Sequence, residues 1–153
     1  MGQGAENGAS GSDTGAGTEL QRTRFGAYFP RVFAFAHSLT ADETTAKEAA
    51  VEAFSRAFAQ RSDLSEEEFA VRLFAGARDH CRTIQNAAGP SDELNPRERE
   101  LLGLMFDARL NRELIRRSMQ TTEQAVSETL LRALRKIRAR VSPAAAGDSL
   151  RIA

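Results

Sequence analysis

Apolar side chains recur at steps of three and four residues over most of this chain, the spacing that places them on one face of an α-helix. Three such segments cover residues 23–39, 43–60 and 66–85, and a denser run follows over residues 94–140. Helices of this length close a small core by burying these faces against one another. The sequence therefore predicts an all-α chain, with a three-helix domain followed by a compact helical run.

Local signals set the predicted bounds of the first three helices. Pro30 should kink the first helix or mark its true start, because proline disrupts a helix interior. Ser65 and Glu68 have the spacing of a capping box, which begins the third helix. The residues expected to face inward are apolar or small: Phe25, Phe29, Val32, Ala36, Leu39, Ala46, Ala50, Ala53, Phe54, Ala57, Phe58, Phe69, Leu73, Ala77, Cys81 and Ile84.

The run over residues 94–140 reads as three helices separated by two short breaks. Asn95 caps the first, with Pro96 at its first helical position. Asn111 caps a second, short helix, and Thr122 caps a third after a polar break. The apolar stripe of the first of these helices is Leu101, Leu102, Met105 and Phe106. A short helix, a tight turn and a longer helix make the helix-turn-helix plan that reads the DNA major groove.

Formal charge balances over the whole chain but not along it. Residues 1–90 hold 9 Lys and Arg against 12 Asp and Glu, whereas residues 91–153 hold 12 against 9. The end of the last helix is basic, with cations at 132, 135, 136, 138 and 140 and no acid among them. Such a run can neutralise DNA phosphates, and it can equally stabilise a helix C-terminus. An acidic first part and a basic second part indicate two different partners.

The segments outside these helices hold little that could form a core. Residues 1–22 are rich in Gly, Ser and Thr and are predicted to be a disordered tail, with a short flexible linker over 87–93 and a flexible tail over 142–153. Cys81 is the one cysteine, so an internal disulfide is excluded and a reducing cytoplasm is expected. No run is long and apolar enough to span a membrane, and the N-terminus lacks the layout of a secretory signal.

Enzymatic chemistry is a poor interpretation of these residues. His37 and His80 are the only histidines, and His80 beside Cys81 lacks the spaced partners of a zinc site. Adjacent residues on a helix point to different faces, so Asp79, His80 and Cys81 do not form a catalytic group. We therefore expect a binding protein without catalytic residues, cofactor or metal, and a plain helical adaptor is a better alternative than an enzyme.

Residues 94–100 read LNPRERE, and Ile115, Val126 and Arg132 follow further along the run. In these positions the run resembles region 4 of the extracytoplasmic-function sigma factors, small bacterial relatives of sigma-70, which opens with LPP and then RERE. The two sequences align here without a gap. The resemblance implies a helix-turn-helix domain over residues 94–141 that binds promoter DNA. The residues that it assigns to DNA lie on or beside the last helix: Thr122, Glu123, Gln124, Ser127, Glu128, Leu131, Arg132, Arg135 and Lys136.

Residues 46–58 read AKEAAVEAFSRAF, and residues 73–81 read LFAGARDHC. These motifs resemble region 2 of the same family, which has AEDLVQETFLRAW and LFxIARNxC at the corresponding places. The resemblance implies a helical domain over residues 23–86 that binds the RNA polymerase core and helps to open the promoter. The residues that it assigns to polymerase binding are Glu48, Val51, Glu52 and Ser55. The residues that it assigns to the promoter-melting region are Arg72, Arg78, Asp79 and Arg82.

Several positions depart from the family pattern. Val51 stands where the family presents Gln to the polymerase, Asp79 stands where it has Asn, and Arg116 replaces a small residue between two helices. Gln120 replaces the Gly of the turn, and we expect it to adopt a turn that needs no positive φ. Glu128 adds a negative charge to the helix that would face the groove, so phosphate affinity should be weak.

Two hypotheses follow from the resemblance. The first is a cytoplasmic transcription initiation factor that binds RNA polymerase core and promoter DNA, with an anti-sigma factor as a further partner. The second is a sigma-like protein that has lost promoter reading and acts by protein contact, as an anti-sigma decoy or regulator. The linker favours two domains that pack together, since it would span only roughly 30 Å when extended. We favour the first hypothesis, although fold alone never establishes function.

Overall fold

The computed structural model describes residues 3–59, 64–88 and 94–141, and all regular secondary structure in these ranges is helical. The helices are α1 (Gln3–Thr40), α2 (Glu43–Ala59), α3 (Glu66–Ala88), α4 (Pro96–Leu102), α5 (Arg112–Ser118) and α6 (Glu123–Val141). A π-helical turn, Gly103–Asp107, continues α4. The all-α prediction is confirmed for this part of the chain. None of the helices in it has the length and apolarity needed to cross a membrane.

The first helix extends much further towards the N-terminus than expected. Residues 1–22 were predicted to be a disordered tail, yet the backbone of α1 is helical from Gln3 and runs through Pro30. Side chains 18–23 are exposed, and Arg24 is the first buried one among the side chains that the structure describes, which begin at residue 17. Helix can extend without tertiary contacts, because each further residue adds one backbone hydrogen bond to a helix that already exists.

The starts of the next two helices agree with the sequence signals. The Ser65 hydroxyl accepts a hydrogen bond from the backbone N–H of Glu68 at 3.1 Å, as its capping spacing predicts. At its other end α3 continues to Ala88, into the first residues of the predicted linker. The predicted turn at 61–63, the remainder of the linker and the C-terminal tail lie outside the described residues.

One apolar core joins α1–α3, which we call the N-terminal half, to α4–α6, the C-terminal half. Its members come from both halves, among them Phe35, Leu73, Phe74, Leu101, Leu104, Ile115 and Val126. The π-helical turn packs on α1, and α5 packs on α3. The halves approach each other closely at Gly103, because a Cβ atom there would lie 2.8 Å from Cδ1 of Phe35. The two halves therefore form a single closed structure.

Candidate functional site

The turn between α5 and α6 is built by local capping. The Asn111 side chain accepts a hydrogen bond from the N–H of Leu114 at 2.9 Å, and the Thr122 hydroxyl accepts one from the N–H of Ala125 at 3.1 Å. Both predicted caps are confirmed. Gln120, between the helices, has a φ of 52°. The expectation that this turn avoids positive φ is therefore wrong: the tight connection requires a left-handed residue where the family pattern has Gly.

The outer side of α6 presents most of the residues that the resemblance assigns to DNA. Those exposed to solvent are Thr122, Glu123, Gln124, Glu128, Leu131, Arg132 and Arg135. Four of them, Glu128, Leu131, Arg132 and Arg135, line a shallow depression of about 350 Å³. This surface combines an amide, two guanidinium groups and an exposed leucine with two carboxylates. Such groups can donate hydrogen bonds to base edges and phosphates, while the carboxylates weaken attraction to a polyanion.

Lys136, the last of the predicted DNA residues, is engaged inside the C-terminal half. Its Nζ donates to Oε1 of Glu98 on α4 at 2.6 Å, and Glu98 is fully buried. Burial by itself would raise the pKa of the Glu98 carboxyl. The net effect is a lowered pKa, because the carboxylate accepts hydrogen bonds from Lys136 and from the backbone of Asn95 and is attracted by the charges of Lys136 and Arg132. The pair therefore ties α6 to α4, and Lys136 contributes less to the outer surface than its position in the sequence suggests.

Ser127 is held by a residue that the sequence did not single out. The guanidinium of Arg112, at the start of α5, donates to the Ser127 hydroxyl across the turn. On α6 itself, the Gln124 amide donates to Glu128 at 3.2 Å. Arg112 and Ser127 are 15 residues apart, so no helical spacing connects them. The structure thus adds an exposed arginine to the candidate nucleic-acid surface.

The residues assigned to promoter melting divide into two groups on α3. Arg72 and Asp79 are exposed. Arg78 and Arg82 turn towards the C-terminal half, where both contact Glu100 of α4. Nη1 of Arg78 lies 3.5 Å from Oε2 of Glu100, and Nε and Nη2 of Arg82 each donate to the Glu100 carboxylate at 3.3 Å. Two of the four predicted residues therefore belong to the contact between the halves.

The residues assigned to the polymerase lie on the outer face of α2. Glu48, Val51 and Ser55 are exposed, and Glu52 pairs with Arg56 at 2.9 Å. Glu48, Val51 and Glu52 line an open groove of about 400 Å³ together with Lys47 and His80. The structure thus brings three of the four residues together. It also adds His80 from α3, which the sequence could connect to them only if the packing of α2 on α3 were known.

The described residues hold no cluster of three or more His, Cys, Asp and Glu side chains of the kind that binds a metal ion. Cys81 is buried, and burial together with the Glu100 charge raises the pKa of its thiol to about 12. At that pKa the thiol stays protonated at neutral pH, and a protonated thiol is neither a nucleophile nor a metal ligand.

Comparison with family models, with curated proteins and with solved structures finds no match to this chain.

Proposed function

We propose that the chain is a transcription initiation factor of the sigma-70 type that binds RNA polymerase core and directs it to promoter DNA. The observation that carries the proposal is the outer face of α6, which follows a tight capped turn and presents Gln124, Arg132 and Arg135 to solvent. A glutamine amide can bind adenine bidentately and an arginine can bind guanine or phosphate, which are the contacts that a major-groove helix makes.

The groove on α2 supplies the second contact in this proposal. Two carboxylates of this groove, Glu48 and Glu52, flank the exposed apolar side chain of Val51. A basic protein surface with an apolar side chain at its centre would complement such a groove in charge and in apolarity. We assign this face to the polymerase core, and the sequence resemblance of residues 46–58 supports that assignment.

A regulator that acts by protein contact is the second candidate, and the closed arrangement of the halves favours it. Arg78 is buried, and both Arg78 and the partly exposed Arg82 pair with Glu100, so the two arginines are less available to melted DNA than their predicted role requires. The connection between Ala88 and Leu94 can reach at most about 20 Å when extended. Both features suit a chain that is recognised as one compact body.

Binding to polymerase core and transcription from a promoter library test the two candidates. The initiation factor should be retained on purified core and should give new transcripts. The double variant Arg132→Ala/Arg135→Ala should still bind core, but promoter affinity should fall, and its log–log salt slope should flatten by about 1.8 if each arginine meets a phosphate. Arg22→Ala/Arg97→Ala, which removes two exposed arginines outside α6, is the control for net charge.

The outcomes separate the candidates. Core binding with transcripts supports the initiation factor, provided that the α6 double variant loses them and the control keeps them. Core binding without transcripts supports the regulator. Transcription that survives loss of Arg132 and Arg135 contradicts DNA reading by α6.

A further inference from the structure

The groove on α2 contains an exposed apolar side chain with charged and polar groups around it. Val51 is 55 % exposed, although α2 buries the alanines on its other side. Lys47, Glu48, Glu52 and His80 line the groove together with Val51. An apolar centre inside a polar rim is the usual composition of a surface that binds another protein.

The charges of α2 leave its outer face with a net negative charge. The helix contains two cations and three carboxylates. Lys47 pairs with Glu43 at 3.3 Å, and Arg56 pairs with Glu52 at 2.9 Å. Glu48 forms no ion pair with any residue that the structure describes. One carboxylate beside Val51 is therefore not neutralised within the chain.

The outer face of α6 has the same plan with the opposite charge. Leu131 and Leu134 are 53 % and 43 % exposed, and their spacing of three residues makes them neighbours on the helix surface. Arg132 and Arg135 lie beside them, with Glu128 as the carboxylate of the depression. Within the described part of the chain neither arginine has an ion-pair partner. This face therefore carries a net positive charge around its exposed leucines.

The two faces complement each other, whereas neither complements itself. Two α6 faces in contact would bring arginines together, and two α2 faces would bring carboxylates together, so like charges would oppose either pairing. Contact between α2 and α6 gives each arginine a carboxylate and covers the exposed leucines with an exposed valine. Removing these apolar side chains from water adds to the attraction. A second copy of the chain therefore carries the surface that each face requires.

We propose that the outer face of α6 in one copy binds the α2 groove of a second copy. In this contact Leu131 and Leu134 cover Val51. The two arginines of α6 face the carboxylates of Glu48 and Glu52. Because the joined faces differ, association continues beyond a pair unless two copies close on each other through both contacts.

Self-association of this kind covers the two faces to which polymerase and DNA binding are assigned above. A copy that is held in this way is withheld from both partners. This consequence rests on the proposed function, whereas the self-association rests only on the chemistry of the two faces. Exposed ion pairs contribute little individually, so the association should be weak and should be displaced by a partner that binds more tightly.

Sedimentation equilibrium of the full chain measures the association. At low ionic strength the weight-average mass should rise above that of one chain as the concentration increases from micromolar to millimolar. In about 1 M salt, where the Debye length is about 3 Å, the association constant should fall by about tenfold or more. Leu131→Ser changes no charge and should also weaken the association, because it removes apolar surface from the contact.

Charge reversal identifies the two faces. The variant Glu48→Arg/Glu52→Arg makes α2 basic like α6, and Arg132→Glu/Arg135→Glu makes α6 acidic like α2. Each variant alone should associate about tenfold less strongly or worse, because like charges then meet. An equimolar mixture should associate again, since the basic α2 of one variant meets the acidic α6 of the other and the unchanged faces of the two variants still attract.

The matched control is Arg22→Glu/Arg97→Glu, which reverses two exposed arginines outside both faces and should associate like the native chain. A native chain that keeps the mass of a single copy at low ionic strength would overturn the proposal. Loss of association in both variants without recovery in the mixture would overturn the pairing of α2 with α6. Polymerase retention and promoter binding are measured below the concentration of self-association, so failure of this proposal leaves the proposed function to its own test.

Discussion

Replacing Gly103 by alanine should destabilise the protein, because this residue lies directly against Phe35 of the other half. An added Cβ would lie 2.8 Å from Cδ1 of Phe35 and 3.1 Å from Oγ of Ser38. Phe35 is fully buried, so its ring can move only by displacing the core around it. Gly76→Ala on α3 is the matched control, since the nearest atoms to its Cβ would be those of Ala53 at 3.9 Å.

The magnitude follows from two opposing effects. Both glycines have helical backbone, so alanine should gain about 1 kcal/mol of helix propensity at either position. At residue 103, overpacking of a buried aromatic ring costs about 2–3 kcal/mol, which leaves a net loss of about 1–2 kcal/mol. For a chain of 153 residues, that loss lowers Tm by about 3–6 °C, whereas Gly76→Ala should raise it by about 3 °C.

Calorimetry and urea denaturation followed by far-UV circular dichroism measure both variants against the native chain. The same chemical change should therefore have opposite signs at the two sites. A Gly103→Ala variant at least as stable as the native protein would show that α4 and its π-helical turn do not press on Phe35. The closed arrangement of the halves would then be contradicted.

Three further predictions concern single residues. Gln120→Gly should stabilise by about 1 kcal/mol, because it relieves a left-handed φ, whereas Gln124→Gly on α6 should destabilise by about 1 kcal/mol in the same urea titration. Arg24→Ala should cost about 2 kcal/mol, since it removes the part-buried hydrogen bonds from Arg24 to the Glu66 side chain and to the Leu64 carbonyl, and exposed Arg22→Ala should cost less than about 1 kcal/mol. The folded-state pKa of Glu98 is depressed, so the stability it contributes is present above 4.5, the ordinary glutamate pKa, and is lost as pH falls below it. The free energy of unfolding of Glu98→Gln should therefore be lower than that of the native chain at pH 7, and the two values should become equal in acid. A difference that does not change with pH would contradict the Lys136 contact.

The sequence predicts the helices and their caps because these depend on residues close together in the chain. Asn95, Asn111 and Thr122 each accept a backbone hydrogen bond from a residue three positions ahead. Local residue patterns did not predict the positive φ of Gln120, because this φ results from the tight connection between α5 and α6. A capping pattern identifies where a helix starts, but the geometry of the turn depends on the packing of both helices.

Burial was harder to predict wherever one element is covered from two sides. The spacing on α1 indicated Val32 and Ala36 but omitted Phe35, which is fully buried because the π-helical turn covers a further side of the helix. In that turn, Phe106 was expected to face inward and is 62 % exposed, while Leu104 is fully buried. A π-helical turn takes up one extra residue, so the side chains within it shift away from the register that a regular helix predicts.

The contact between Glu100 and the arginines of α3 has no local signal at all. In the sequence Glu100 is the last residue of the RERE motif, and Arg82 lies 18 residues before it across the linker. Nothing in helical periodicity relates these positions, because the contact exists only when the C-terminal half folds back on α3. The candidate surfaces on α2 and α6 are faces of single helices and follow from the sequence, whereas the contact between the halves depends on the tertiary structure.

Opening the halves would expose apolar as well as charged surface. Phe35, Leu101 and Leu104 are fully buried in the closed form, and phosphates cannot cover such side chains once they are exposed. Contacts to DNA alone do not compensate for the lost apolar contacts. A protein surface can do so, and the α2 groove offers a binding site that is already accessible in the closed form. The function proposed above therefore requires a protein contact, and not DNA alone, to shift the chain towards an open form.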